Sequence, residues 1–107
     1  MSIFEPGSSA SWGGEPVARH LGEARPRDRV VVTGTIGDMA IVEVGGSASA
    51  AYVLDDGTGQ VTLVFLGRPA VPGLHEGARC TVEGTVRDRR EALEVWNPLY
   101  RLEGSDG

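Results

Sequence analysis

The chain has 107 residues, 40% of them hydrophobic and 23% charged, and carries a net charge of −5 at pH 7. That is enough for one small domain with short flanks. It excludes a membrane span, since no apolar run approaches the roughly 18 residues a span needs, and the absence of a basic-then-apolar leader points to a cytoplasmic protein. Cys80 is the only cysteine, so no intramolecular disulfide can form. It falls in an alternating apolar run where a buried, inert thiol is expected. His20 and His75 lie far apart with no cysteine at ligand spacing, and neither a metal nor a cofactor is expected.

Residues 1–28 read as a flexible N-terminal arm. The first sixteen are rich in Ser, Gly and Pro and lack any period, although Ile3, Phe4 and Trp12 interrupt their polarity. Val17 to Leu21 offer at most a turn of helix before Pro26. From Arg29 the character changes. Val30 to Ile36 form a β-rich run that resumes from Met39 to Val44, which predicts one long first strand bent at its glycines. A loop over Gly45 to Ser49 then leads to a second strand, Ala50 to Leu54.

Asp55-Asp-Gly-Thr-Gly59 is a turn signal with a mechanism. Glycines adopt left-handed conformations cheaply, and aspartates bond the nearby backbone. Adjacent carboxylates in a turn point apart, and no base or nucleophile accompanies them, so turn chemistry is the reading for Asp55 and Asp56. The third strand, Gln60 to Leu66, places Val61, Leu63 and Phe65 on one face. Prolines and glycines between Gly67 and Gly77 exclude a long helix and predict a compact connector. The fourth strand alternates most cleanly, with Cys80, Val82, Gly84 and Val86 on one face and Arg79, Thr81, Glu83, Thr85 and Arg87 on the other, and is expected to be half-buried. After a charged turn at Asp88 to Arg90, a fifth strand starts near Ala92 and runs through Val95 and Trp96 until Pro98 interrupts or ends it. Residues 103–107 form a tail.

Five strands in this order, with the longest connector between the third and fourth, fit an all-β, five-stranded Greek-key barrel over residues 29–102. Leu54 to Leu63, the proline-interrupted connector, Gly77 to Val86 and Trp96-Asn-Pro-Leu-Tyr100 together resemble the OB-fold nucleic-acid-binding family. Within it the pattern is similar to wedge domains of fork-remodelling helicases and to anticodon-binding-type OB domains. The resemblance implies a partner, single-stranded DNA or RNA, lying across the second and third strands and between the loops Gly45 to Ser49 and Asp88 to Glu91.

Carried onto this chain, the candidate contacts are Arg87, Arg89, Arg90, Arg68, Trp96, Tyr52, Phe65 and Thr62. Arg87, Arg89 and Arg90 either attract phosphate or decorate a solvated turn balanced by Asp88, Glu91 and Glu94. Arg68 either extends the groove or bonds a connector carbonyl, and Thr62 shares the outer parity of the third strand. Trp96 either stacks on a base or covers a barrel end. Parity with Leu54 places Tyr52 in the core or at its rim rather than on a stacking face, parity with Val61 and Leu63 places Phe65 in the core unless a bulge turns it outward, and Tyr100 packs on the barrel. The negative charge sits in the flanks: residues 25–102 net only −1, and every cation is arginine, the side chain suited to planar phosphate and base contacts.

Two functions follow. The first is a non-enzymatic module that binds single-stranded nucleic acid weakly and with little sequence preference, since no catalytic constellation is visible. The second is a protein-interaction OB domain, an accessory or regulatory subunit or a homo-oligomer, docking through an apolar patch at Val53, Val64 or Leu66.

Overall fold

The computed structural model describes residues 17–90 and 92–103. It contains seven strands: β1 (Val17–Ala18), β2 (Arg29–Val44), β3 (Ser47–Asp55), β4 (Gln60–Phe65), β5 (Arg79–Arg89), β6 (Ala92–Trp96) and β7 (Leu99–Leu102), with one 3-10 turn at Leu21–Glu23. Among the described residues no helix is long and apolar enough to cross a membrane. Ile3, Phe4 and Trp12 lie outside the described residues.

Five strands close the expected barrel. β2 is long enough to serve two partners: Arg29 to Thr35 pair with β5, and Thr35 to Val44 pair with β3, the register shifting between Ile36 and Met39 where a bend was expected. β3 continues to β4, β4 pairs in parallel with β6, and β6 returns to β5, completing the ring. The alternation read from sequence sets the inside. Val61, Leu63 and Phe65 from β4 and Cys80, Val82 and Val86 from β5 meet Val30, Val32, Tyr52, Leu54 and Val95 in one core. The Pro- and Gly-rich connector has no helix; it sends Val71 and Leu74 inward instead, and the Val71 N–H donates to the Tyr52 hydroxyl at 3.1 Å. Burial raises the Cys80 thiol to about 11, helped by the negative charge of Glu103 and opposed by Arg79, so it stays protonated at neutral pH.

Three boundaries and one burial pattern differ from the sequence reading. Residues 17–28, assigned to the arm, contribute to the barrel: β1 runs parallel to the start of β2, and Leu21 is buried in the core. The expected loop Gly45 to Ser49 is a tight turn at Gly45 and Gly46, with φ of 58° and 85°, inside a β2–β3 ribbon. Pro98 does not end the sheet. The chain turns at Asn97, whose φ is 52°, and returns as β7 along β5, which brings Glu103 out of the expected tail to bond Arg79 and Thr81. With β2 and β7 on its two sides, β5 is not half-buried in its first half: Thr81 and Glu83, on its outward parity, are buried.

The Asp55–Gly59 turn anchors the 3-10 segment to the barrel. Asp55 Oδ1 accepts the Gly57 N–H at 2.7 Å; Asp56 Oδ1 accepts the N–H groups of Thr58 and Gly59 and the Thr58 hydroxyl, while its Oδ2 accepts the Leu21 N–H at 2.8 Å. Partial burial pushes the Asp56 carboxyl up, but these donors outweigh it and hold it below the usual 3.8. Its stabilisation is therefore complete above the unfolded value and is lost as pH falls through the folded one. Asp56→Ala is expected to cost about 2 kcal/mol in urea unfolding at neutral pH, and Asp56→Asn to make the acid-induced loss of stability shallower than in the unaltered chain.

Candidate functional site

At Val86, β5 leaves β2 and takes β6 as its partner, so its outer face bends into a hollow. The segment before β2 is fastened to that bend: the Arg27 N–H donates to the Val86 carbonyl at 2.6 Å, and the Val86 N–H to the Asp28 carbonyl at 2.8 Å. Arg27 holds a left-handed φ of 80°, an uncommon conformation outside glycine that these bonds maintain. The result is an open groove of about 910 Å3 whose walls include Arg27, Arg29, Thr85, Arg87, Trp96 and Asn97. Three arginines thus line one hollow.

Arg87 lies over the Trp96 ring, 3.7 Å from its centroid. The indole is held from its edge, because Trp96 Nε1–H donates to Glu94 Oε1 at 2.9 Å, and Glu94 Oε2 stands 3.9 Å from Arg89. An indole and a stacked guanidinium offer a flat, cationic platform on which another planar ring can stack. Asn97 ends β6 beneath it, accepting the Leu66 N–H at 2.9 Å.

Of the residues singled out in the sequence, the structure brings Arg87 and Trp96 together in this groove. Arg89 and the exposed Arg90 lie beyond it on the β5–β6 turn. Thr62 faces outward on β4, in a row where Val53, Thr62, Glu94 and Arg87 stand side by side on neighbouring strands. Arg68 is exposed at the start of the connector, where its carbonyl accepts the Ala50 N–H at 2.7 Å. Tyr52 and Phe65 are corrections: at 1% and 2% exposure, with rings edge to face 5.9 Å apart, they fill the core and offer no face to a ligand. Val64, proposed for an apolar patch, is buried as well. The residues missed are Arg27, Arg29, Thr85 and Glu83. The run Arg25-Pro-Arg-Asp-Arg29, three arginines in five residues, was the available signal, and it fell across the assigned start of the domain.

No protein-family model and no curated protein sequence matches the chain. Its likeness is to solved structures. RecG bound to a three-way DNA junction aligns with a TM-score of 0.63 at 20% identity, covering 85% of this chain and 13% of that one. The OB domain of MM0293 from Methanosarcina mazei aligns with a TM-score of 0.63 at 11% identity, covering 83% of this chain and 84% of that one. The chain has the OB fold. A replication protein A heterotrimer bound to single-stranded DNA aligns with a TM-score of 0.55 at 17% identity, covering 78% of this chain and 62% of that one. The chain spans less than two thirds of the length of several of the proteins it resembles.

In OB folds generally the β3–β4 face and the flanking loops take oligonucleotides. Here that face has a smaller cleft of about 300 Å3, lined by Val53, Gln60 and Thr62 among others and by no arginine. The cationic hollow is on the β5–β6 side of the same OB barrel.

Proposed function

We propose that this OB fold is a non-enzymatic module that binds single-stranded nucleic acid weakly and, over most of its contacts, with little regard to sequence. The observation that carries this reading is the Arg87–Trp96 stack set in one groove with Arg27 and Arg29. Stacking and phosphate attraction are the two means by which single strands are held without base recognition. RecG and replication protein A, which share the fold, were captured on a DNA junction and on single-stranded DNA. Weak affinity follows from the net charge of −5 and from Glu83 and Asp88 beside the arginines, which oppose phosphate.

A labelled single strand of about 12 nucleotides should bind with an affinity that falls as salt rises, with a slope near −2 on logarithmic axes for about three phosphates neutralised. Replacing both Arg27 and Arg87, two of the arginines that line the groove, with alanine should flatten that slope. Salt-independent binding, or none at micromolar protein, would count against the reading.

A second reading, docking of a protein partner, has its own observation: Met39 and Ile41 are 44% and 51% exposed along one edge of the β2–β3 ribbon.

A further inference from the structure

Under the groove lies a carboxylate for which strand binding alone gives no use. Glu83 is 1% exposed and lines the hollow; its Oε2 accepts Arg29 Nη2 at 3.0 Å, while its Oε1 accepts no hydrogen bond. A buried carboxylate oxygen left without a donor is costly and calls for an explanation. Arg29 Nη1 donates to Thr85 Oγ1 at 3.3 Å, so the Thr85 hydroxyl proton remains available to donate into the groove. Two residues apart on β5, on the same face, stand an unused acceptor and an unused donor, beside the Arg87–Trp96 platform.

Resting on the strand-binding reading above, we infer that Glu83 reads one base of the bound strand by accepting an amino N–H, with Thr85 donating to the neighbouring ring nitrogen. On the Watson–Crick edge an amine beside a ring-nitrogen acceptor is the pattern of cytosine and adenine, whereas guanine sets a ring N–H beside its amine. Thymine and uracil place a carbonyl where the amine would be, against the carboxylate. Carboxylates accept from the cytosine amine in this way in other complexes. The base stacks on the platform with its amino edge toward the groove floor, and the partly exposed Arg29 side chain shifts to admit it. The rest of the strand is held by charge and stacking, so preference is confined to one nucleotide position.

The test compares binding of the full chain to short strands of deoxycytidine, of thymidine, and of 2-pyrimidinone deoxynucleoside, which is cytidine with hydrogen in place of the amine. The expected result is that the cytidine strand binds about fivefold or more tightly than the other two, and that Glu83→Gln, shown to be folded by circular dichroism, removes the preference. If that variant does not fold, the pyrimidinone strand decides the matter with the unaltered chain. Equal binding of all three strands, equal binding of the cytidine and pyrimidinone strands, or a folded Gln variant that keeps the preference would overturn the base-reading role alone. Binding of none of them would overturn the strand-binding reading with it.

Discussion

Trp96→Ala is expected to weaken binding of a short single-stranded oligonucleotide by about tenfold or more while leaving the steepness of its salt dependence unchanged. A base stacked on an aromatic ring is worth about 1–3 kcal/mol by alanine substitution, and the indole also supports Arg87, whose guanidinium lies 3.7 Å from the ring centroid. Removing the ring takes away the platform but no charge. Arg87→Ala differs in kind, because it removes a cation and should lower the salt slope by about 0.7 as well as the affinity. Fluorescence anisotropy at two salt concentrations separates the two variants. Trp96 is half-buried on the outside of the barrel, so the unfolding transition should move little in comparison. Undiminished affinity in Trp96→Ala would remove the platform from the interface.

The largest effect on stability is expected at Gly34. It sits on β2 where the strand passes against the β3–β4 turn, and a Cβ there would stand 2.6 Å from the Asp55 carbonyl oxygen, 2.9 Å from its carbon and 3.2 Å from Asp56 Cα. All three are backbone atoms, so no side chain can rotate away. Gly34→Ala must displace the turn that carries the Asp55 and Asp56 bonds and the Leu21 anchor. A cost of about 3 kcal/mol follows from overpacking of this kind, equivalent to a fall in Tm of roughly 15 °C for a domain of this size. Gly37→Ala is the control, since its nearest neighbour would be 3.8 Å away, an ordinary contact. Calorimetry showing equal losses in both variants would contradict the close approach at Gly34.

The barrel was legible in the sequence because β-rich runs separated by turn residues mark its strands, and alternation, cleanest in β5, marks which side of them faces inward. Val32-Thr-Gly-Thr-Ile36 and Val82-Glu-Gly-Thr-Val86 are alike in sequence, and they meet in the fold: β2 and β5 pair antiparallel with Val32 opposite Val82, so Gly34 faces Cys80 and Gly84 faces Val30 symmetrically about that pair. Each glycine makes room for a crossing neighbour, Gly34 for the Asp55 backbone and Gly84 for the Val95 side chain. Elements without a period were missed. A two-residue parallel strand and a single 3-10 turn leave no repeating pattern, so Leu21 looked like part of an arm although it is buried in the core.

The site was legible only in part. Arg87 and Trp96 could be placed on outer faces by parity, but their partners Arg27 and Arg29 come from a segment about 60 residues away in the chain, brought there by backbone bonds to Val86. Alternation placed Glu83 outward and therefore in water. Only the return of β7 along β5, after a proline that read as a terminus, encloses that strand on both sides.

Chemical-shift mapping of the isotope-labelled chain during titration with a single-stranded oligonucleotide tests the groove most directly. Perturbations should gather at Arg27, Arg29, Thr85 to Asp88 and the Trp96 indole N–H. Perturbations centred on Val53, Gln60 and Thr62, or none at saturating oligonucleotide, would show that the cationic hollow is not where a strand lies.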